Sequence, residues 1–366
     1  MQRRSFLKKA SVGAVAGSAA VAAPVFAQDA PTLNWRLASS FTRGLDTLWG
    51  TGELFSRYVR EGTNGKFNIR NFPGGEIVPP LQVLDAVQKN TVEMGNSSGY
   101  YYHGKDPSLS FDTAVPFGLN VRQMNAWMWE GDGMKLMREV YGDYNIINFP
   151  LGNTGTQMGG WYRKEIKSVD DLKGLKMRTA GFAGEVLSVL GVVRQQLPAG
   201  DIYPALEKGT LDAVEFVGPY DDEKLGFAKV AKFYYYPGWW EGGAQTSLYI
   251  NKGEWEKLPK SYQSIIEAAS RAATVTMTAR YDNLNPTALR RLLSQGTQLR
   301  PFPRAVMDAC WDATQKVYEQ TSAKNERFKR ILANYMGYRD DLVPWFRTAE
   351  ASYDQYIGAA LSRAKK

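Results

Sequence analysis

An arginine and a glutamate stand near the ends of two short apolar segments of this 366-residue chain. Arg178 follows the apolar stretch in LKMRT and precedes a Gly/Ala-rich turn, GFAG, that opens an apolar helix. At the end of a buried strand, a guanidinium needs an anionic partner, and it can hold a carboxylate through two parallel hydrogen bonds. That partner is either an acidic residue of this chain or a bound anion, and the spacing alone favours neither.

Glu215 raises the matching question about a cation. It lies within the apolar segment LDAVEFV, where a buried carboxylate is costly unless it is paired or bound to a positive group. Either Arg178 neutralises it or a metal ion does. The acidic run at 221–223 follows a Gly-Pro turn and is interpreted instead as a solvated helix start.

Two more polar residues stand in glycine-rich and aromatic segments. Gln157 lies in GTQMGGWY, and Glu241 follows Trp240 in YYYPGWWEGG, a segment that predicts a rigid amphipathic wall. Gln157, Glu215 and Glu241 offer only oxygen ligands. A cation held by them would therefore be Na⁺ or Ca²⁺ rather than zinc or copper.

Composition excludes several other kinds of site. The chain has one histidine, His103, and one cysteine, Cys310, so it has no internal disulfide and no histidine-rich zinc site. We expect His103 to be a loop histidine beside an aromatic cluster rather than a catalytic base. The sequence contains no P-loop, Rossmann glycine fingerprint, EF-hand loop or HExxH motif.

The first 27 residues predict an export signal. Arg3 and Arg4 open it, a run of small apolar residues follows, and Val25-Phe26-Ala27 has the form that signal peptidase cleaves. The paired arginines favour the twin-arginine type over an ordinary export signal. This segment holds four basic residues and no acid, so the remainder carries a net charge of +4 instead of +8. With no later run of Lys or Arg, nucleic acid is not expected as a partner.

The strands and helices predicted from the sequence pattern indicate an α/β fold. Residues 33–101 alternate strand and helix in the manner of a parallel sheet, with Asp46 as a candidate cap for the first helix. Residues 156–217 repeat the alternation, and 243–259 predicts a strand that returns to the first unit.

Long helices are predicted for the rest of the chain. A helical stretch over 259–296 is expected to break near Asn285-Pro286, because proline lacks the N–H that a helix interior needs. Two further helices are expected at 303–336 and 338–364.

Taken together, these features resemble the solute-binding proteins of TRAP transporters, the DctP-like family. LKGLKMRTAGFAGEVLSVLG, LEKGTLDAVEFVGPYDDEKLGF and YYYPGWWEGG are similar to the subgroup that binds 2-oxoacids or lactate with a metal ion. The resemblance covers nearly the whole chain after the signal. It implies a two-lobed, periplasmic-binding-protein-like α/β fold, with a ligand cleft between the lobes and long C-terminal helices.

On this basis the chain divides into five segments. They are the twin-arginine-type signal at 1–27, the first part of lobe 1 at 28–155, the main part of lobe 2 at 156–242, the return to lobe 1 with a long connecting helix at 243–285, and the C-terminal helices at 286–366, which pack on the lobes and could form a dimer interface.

The resemblance also implies a metal site. Its ligands would be the side chains of Gln157, Glu215 and Glu241 and the main-chain carbonyl of Phe216. In the subgroup a tryptophan often follows the strand glutamate. A carbonyl ligand tolerates Phe216, but the pocket wall loses an indole N–H.

Substrate contacts follow from the same resemblance. Arg178 would grip the substrate carboxylate, and Gln157 and Trp240 would lie beside it. Tyr100 and Tyr101 would offer hydroxyl groups from lobe 1.

The function implied is capture of a small monocarboxylate, a 2-oxoacid such as pyruvate or else lactate, together with one Na⁺ or Ca²⁺. The protein would be exported to the periplasm, would deliver its ligand to the TRAP membrane permease subunits without catalysis, and could form a homodimer. Two alternatives stay open. One is a metal-independent binder of sugar acids or dicarboxylates, and the other is an exported metal-assisted lyase or hydrolase.

Overall fold

The computed structural model describes residues 30–364, so the predicted export signal at 1–27 lies outside the described residues. The strands in this range are β1 Leu33–Ser39, β2 Phe67–Phe72, β3 Met94–Ser97, β4 Ile146–Asn153, β5 Trp161–Tyr162, β6 Lys176–Arg178, β7 Val193–Gln195, β8 Ala213–Val214, β9 Phe233–Tyr236, β10 Gln245–Asn251 and β11 Gln298–Pro301. They form two separate sheets.

The first sheet has the strand order β2-β1-β3-β10-β4. Strand β1 pairs in parallel with β2 and β3, as the strand–helix alternation predicts. Strand β10 enters from much later in the chain and pairs antiparallel with both β3 and β4. All seven residues of β10 are buried, because it is an inner strand covered on both faces.

The second sheet has the order β11-β9-β5-β8-β6-β7. Strand β6 lies parallel to β8, with Arg178 opposite Val214. Arg178 is the last residue of β6, and Glu215 directly follows the last residue of β8. The two residues therefore leave the sheet side by side at the carboxyl ends of neighbouring parallel strands, where α/β sheets bind ligands. Strand β11 was not predicted.

The α-helices are α1 Leu48–Gly62, α2 Val83–Gln88, α3 Val121–Trp129, α4 Gly133–Gly142, α5 Gly181–Val189, α6 Ala199–Glu207, α7 Pro219–Leu225, α8 Lys252–Glu256, α9 Lys260–Ser294, α10 Arg304–Lys324, α11 Glu326–Phe346 and α12 Ser352–Ala364. A single π-helical turn, Arg347–Ala351, joins α11 to α12. Helix α1 buries Leu48, Phe55 and Val59 on one face, as an amphipathic helix does.

Two helix boundaries that we predicted are wrong. Helix α9 continues through Pro286, and Ala288 and Leu292 beyond the proline are buried, so tertiary packing outweighs the loss of one backbone hydrogen bond. The last helical region divides at Asn325 rather than near 337, because the Asn325 side chain caps α11 by accepting a hydrogen bond from the Phe328 N–H.

Asp46 does not cap α1. The residue before the helix is Thr47, and it makes no side-chain cap. The Asp46 carboxylate instead binds Lys224 of α7 and accepts hydrogen bonds from the Tyr220 hydroxyl at 3.0 Å and from Arg280 at 3.2 Å. The residue predicted as a local cap thus links the start of α1 to α7 and α9.

The apolar interior contains two clusters. One includes Trp127 and Tyr335, whose rings meet edge to face at 4.9 Å, and the other includes Trp161 stacked on Tyr234 at 4.1 Å. Among residues 30–364, no helix is both long enough and apolar enough to cross a membrane.

Candidate functional site

Arg178 has a partner within the chain. Its side chain is fully buried, and Nη1 donates both to Glu215 Oε1 and to the Glu215 carbonyl oxygen, each at 2.6 Å. Its Nε donates to the Leu197 carbonyl at 3.3 Å. The internal ion pair is therefore present, yet Arg178 Nη2 is buried without a hydrogen-bond partner. One guanidinium nitrogen, Nη1, is therefore hydrogen-bonded within the protein, and the other, Nη2, is available to a bound anion.

Three buried oxygen atoms beside this pair are also unpartnered. They are Gln157 Oε1, Glu215 Oε2 and Glu241 Oε2. The backbone brings two of these residues together, because the Gln157 N–H donates to the Glu241 carbonyl at 3.0 Å. Other buried side chains of the described residues, such as Asn96 and Asn148, also have unmatched polar atoms. What distinguishes this group is that unmatched acceptors from three residues, two of them carboxylates, accompany one unmatched guanidinium donor, which indicates a binding site.

The electrostatics of the two glutamates show how closely they lie to Arg178. Burial raises the pKa of Glu215 to about 6, although Arg178 partly offsets this. Burial and the charge of Glu215 raise the pKa of Glu241 well above its usual range, again with a partial offset from Arg178. A positive ion placed between the two carboxylates would stabilise their charged forms.

Phe216 and Trp240 form apolar surfaces around the charged groups. The Phe216 ring centroid lies 5.4 Å from the Arg178 guanidinium carbon. Trp240 is buried edge to face against Trp239 at 4.9 Å, and its Nε1 has no hydrogen-bond partner. The amphipathic wall predicted from the sequence is present, and it includes an unmatched donor.

Tyr100 and Tyr101 approach this cluster from the other lobe. Both belong to a 3₁₀ turn, Gly99–Tyr102, and their rings meet edge to face at 5.0 Å. The pKa values of both phenols are raised, first by burial and also by the charges of Glu215 and Glu241. Gly181 has φ +57°, and a Cβ there would lie 2.9 Å from the Tyr100 Cβ, so glycine permits the close approach.

A small pocket with a cavity volume of about 10 Å³, room for about one water molecule, lies beside these groups. Four predicted site residues line it: Gln157, Phe216, Tyr100 and Tyr101. The other lining residues, which the sequence analysis missed, are Phe41, Leu48, Ser98, Thr154, Val217, Ala244 and Thr246. Arg178, Glu215, Glu241 and Trp240 are not among the lining residues. The missed residues carry no local signal, since their position depends on how the lobes meet.

The donor set fits an oxygen-preferring cation beside an anion. In residues 30–364, no three Asp, Glu, His or Cys side chains come together as a metal site, so an ion here needs amide or carbonyl oxygens as well. Gln157 Oε1 and the two glutamate oxygens supply such acceptors, and Arg178 Nη2 supplies an anion donor. The predicted ligands therefore fit Na⁺ or Ca²⁺, while the role of the Phe216 carbonyl remains a prediction.

Two of the three acids in the run after the Gly-Pro turn are buried, contrary to our interpretation of a solvated helix start, and the third, Glu223, is partly exposed. Asp221 and Asp222 are buried, and burial raises the pKa of each to about 7. Asp222 accepts hydrogen bonds from Trp161 Nε1 at 3.0 Å and the Tyr234 hydroxyl at 2.7 Å. The helix start was predicted correctly, but its burial depends on aromatic residues distant in sequence.

His103 and Cys310 do not line the pocket. His103 packs against Phe182 with ring centroids 4.3 Å apart, and its Nε2 lies 3.1 Å from Glu185 Oε1. Cys310 is buried, and burial raises the pKa of its thiol to about 12, far from a reactive thiolate.

Comparisons with known proteins show which proteins this chain resembles. A 2-oxoacid-binding relative, the monocarboxylate 2-oxoacid-binding periplasmic protein of Nostoc sp., is 48% identical over 330 residues and 90% of each chain. A solved TRAP transporter solute-binding protein from Bordetella bronchiseptica is 51% identical, with TM-score 0.90 over 91% of this chain and 99% of that one. It is a mixed-occupancy dimer with copurified calcium and picolinate in one active site and an apo site.

A second solved structure has the same fold. It is a TRAP periplasmic solute-binding protein from Pseudoalteromonas atlantica with bound sodium and pyruvate, 37% identical, with TM-score 0.86 over 88% of this chain and 99% of that one. These likenesses confirm the predicted two-lobed α/β fold with long C-terminal helices. The family model for DctP, the bacterial extracellular solute-binding proteins of family 7, matches residues 39–325. The chain therefore belongs to this family of extracellular, periplasmic solute-binding proteins.

Proposed function

We propose that this protein is the solute-binding subunit of a TRAP transporter. It captures a small 2-oxo monocarboxylate such as pyruvate, or lactate, with one Na⁺ or Ca²⁺, and delivers it to the membrane permease. The observation that supports this most is the buried group of one unmatched donor and three unmatched acceptors around Arg178 and Glu215. The Nostoc relative's name and the ligands of the two solved relatives support the same ligand class.

Each unmatched atom has a role in this proposal. Arg178 Nη2 donates to the ligand carboxylate, while Nη1 stays on Glu215. Gln157, Glu215 and Glu241 hold the cation with their side-chain oxygens, and the Phe216 carbonyl completes the set. When bound, the cation supplies a positive charge and open coordination positions for ligand oxygens. Trp240, Tyr100 and Tyr101 enclose the ligand from the two lobes.

The charge of the site supports binding of a cation and an anion together. Two glutamates and one arginine leave one net negative charge when all are ionised. A calcium ion and a monocarboxylate bring that sum to zero, whereas sodium and the same anion leave it at minus one. The raised pKa of Glu241 would let a sodium-loaded site retain a proton instead. Charge balance therefore favours Ca²⁺ at neutral pH.

The pocket lining supports a monocarboxylate over a dicarboxylate. No Lys, Arg, Asp or Glu is among the lining residues of the described structure, and Phe41, Leu48, Val217 and Ala244 form its apolar part. A second carboxylate would lose its hydration there without gaining a partner. A monocarboxylate ligand with a short apolar tail fits this apolar part of the lining.

We propose further that the ligand leaves unchanged. The lining residues include no histidine or cysteine that could act as a base or nucleophile, and the family is one of transport proteins. Opening and closing of lobes divided near residues 155 and 242 would be the working step. The first sheet takes its strands from residues 33–153 and 245–251, and the second takes its strands from 161–236 with β11 added at 298–301, which supports this division.

Export and assembly complete the proposal. The paired Arg3-Arg4 supports export by the twin-arginine route. Exposed aromatic side chains on the C-terminal helices, Trp345, Tyr353 and Tyr356, support a homodimer, as in the Bordetella relative.

Titration calorimetry with pyruvate tests the proposal. We expect binding in the presence of Ca²⁺ or Na⁺, loss of binding after the metal is removed with a chelator, and recovery when the metal is restored. Elemental analysis of the purified protein identifies the ion. Binding that is equally strong without metal, or a preference for dicarboxylates, would contradict the proposal. Conversion of pyruvate, followed by NMR, would contradict the non-catalytic role.

A further inference from the structure

The side-chain amide of Gln157 can bind a cation in only one of its two orientations. Its oxygen and nitrogen ends have the same size, but only the oxygen can coordinate a positive ion. In the structure Oε1 is the buried, unpartnered end, and Nε2 donates to Thr154 Oγ1 at 3.1 Å. Thr154 is thus the residue that touches the end of the amide pointing away from the proposed cation.

Hydrogen-bond counting at Thr154 fixes this orientation. A threonine hydroxyl has a single hydrogen, and Thr154 Oγ1 donates it to the Gly155 carbonyl at 2.9 Å. Towards Gln157 the hydroxyl can therefore only accept, so it needs the amide nitrogen opposite it. A flipped amide would place two acceptors against each other unless the hydroxyl abandoned the Gly155 carbonyl.

The segment that holds Thr154 is itself anchored. The Thr154 N–H donates to the Ala244 carbonyl at 2.9 Å, and Asn153 Oδ1 accepts from the Gly155 N–H at 2.9 Å. Asn153 Nδ2 donates to the Gly243 carbonyl at 3.2 Å. Thr154 is only 5% exposed, and the small part of its surface that is accessible lies at the pocket.

We propose that Thr154 is a positioning residue for the cation site: its hydroxyl holds the Gln157 amide with the oxygen towards the ion. This inference rests on the proposed function, because it assumes that Gln157 is a ligand. Partners behind a metal ligand typically change metal affinity by about 10–100-fold when they are lost. In this role Thr154 adds no charge to the site and makes no contact with the ion. It acts only through Gln157.

Thr154→Val tests the proposal, since valine keeps the shape of threonine and removes the hydroxyl. The probe is Ca²⁺ alone, titrated into chelator-treated protein and followed by calorimetry. We expect the valine variant to bind Ca²⁺ about tenfold more weakly, and Thr154→Ser to bind within about twofold of the wild type, because serine restores the acceptor. Thr314→Val is the matched control: Thr314 is buried and also donates to a backbone carbonyl, Cys310 at 2.7 Å, but lies in α10. It should bind Ca²⁺ like the wild type.

A double-mutant cycle separates positioning from general damage. In a Gln157→Ala background, adding Thr154→Val should have almost no further effect on Ca²⁺ affinity, because the group it positions is gone. An equal loss in both backgrounds, or normal Ca²⁺ binding by the valine variant, overturns the proposal. Thermal melting of the metal-free variants shows that each is folded.

The outcomes also separate this proposal from the proposed function. If the wild type binds Ca²⁺ and pyruvate together but the valine variant does so equally well, only the role of Thr154 fails. If the wild type binds pyruvate with no dependence on metal, the metal site and the role of Thr154 both fail.

Discussion

Two groups of buried acids in this protein differ in whether their oxygen atoms have partners. In the Asp112 cluster, the carboxylate accepts hydrogen bonds from Tyr141 at 2.8 Å, Ser247 at 2.5 Å and Gln245 at 3.1 Å, and both of its oxygens are used. In the Glu215 site, which comprises Gln157, Arg178, Glu215 and Glu241, three oxygens and one guanidinium nitrogen are unmatched.

This difference separates a structural acid from a binding site. Both groups are fully buried, and burial raises the pKa of the acids in each. An unmatched buried polar group costs about 1–3 kcal/mol, so the Glu215 site lowers the stability of the empty protein. A ligand that supplies the missing partners removes this penalty and stabilises the fold by mass action. The Asp112 carboxylate has nothing to gain from a ligand, because both of its oxygens already accept hydrogen bonds, although Gln245 Oε1 beside it is also unmatched.

Arg178→Met should have the largest effect of the changes considered. It removes the donor for the ligand carboxylate and leaves the Glu215 carboxylate without its partner. We expect pyruvate affinity to fall roughly 1,000-fold, or about 4 kcal/mol. Calorimetry measures this loss. Arg300→Met is the control, because Arg300 also pairs with a glutamate, Glu165 at 3.0 Å, but at the surface.

Arg178→Lys sharpens the same test. Lysine keeps the positive charge opposite Glu215 but cannot bond the protein and the ligand with two separate arms. We expect it to fold as the wild type does and still to bind pyruvate much more weakly. Unchanged binding by both variants would show that the unmatched Nη2 has no role in recognition.

Matched substitutions in the two acid groups should have opposite effects. Glu241→Gln relieves the burial of an unpartnered charge, so the metal-free variant should melt at or above the wild-type temperature, while Ca²⁺-dependent binding falls up to about 100-fold. Asp112→Asn places an amide N–H₂ among hydrogen-bond donors, so it should lower stability by about 1–3 kcal/mol and leave binding unchanged.

Thermal melting in chelator and calorimetry in Ca²⁺ measure both members of this pair. The comparison fails if Glu241→Gln destabilises the metal-free protein as much as Asp112→Asn does and binds normally. In that case the Glu215 site would be another structural cluster.

The pH dependence of stability is a smaller test of the Asp112 cluster. Burial raises the pKa of Asp112 from 3.8 to about 6 despite its hydrogen bonds. Between these values the unfolded chain binds fewer protons than the folded one, so this residue's contribution to the free energy of unfolding falls as pH rises. The Asp112→Asn variant lacks this pH-dependent contribution to the free energy of unfolding. The stability difference, wild type minus variant, should shrink by about 2–3 kcal/mol from pH 4 to pH 7 and then stay constant.

Urea unfolding of both proteins at several pH values gives this difference directly. A difference that grows as pH rises would mean that Asp112 is ionised more easily in the folded protein than in the unfolded chain. It would then resemble a paired surface acid rather than a buried one.

The sequence correctly predicted the features that depend on residues close together in the chain. Strand–helix alternation gave the parallel pairing of β1 with β2 and β3, and apolar residues before Arg178 placed it at a strand end. The sequence could not decide whether Arg178 pairs with Glu215. The two residues are 37 apart in the sequence, and the register of β6 and β8 brings them together.

Features that depend on distant partners were missed or wrong. Burial of Asp221 requires the Tyr281 hydroxyl, which lies 2.6 Å away but 60 residues later in the chain. Asp46 was predicted as a cap because its local context suits one, yet it binds residues of α7 and α9. The pocket wall at Leu48 was missed because any amphipathic helix has such a leucine.

Leu48 and Leu45 extend the comparison from polar atoms to apolar ones. Both are buried in the same apolar cluster, but only Leu48 lines the pocket. Leu48→Ala should enlarge the pocket, and each additional buried CH₂ of a ligand contributes about 0.8 kcal/mol. The affinity for a 2-oxoacid with two more carbons, relative to pyruvate, should therefore rise about 4-fold if one added carbon is buried and about 15-fold if both are. Leu45→Ala should lower stability by about 2–5 kcal/mol and leave that ratio unchanged, because its cavity does not open into the pocket. Calorimetry with both acids decides the matter: equal ratios in the two variants would mean that the leucine at the start of α1 packs as core and does not face the ligand.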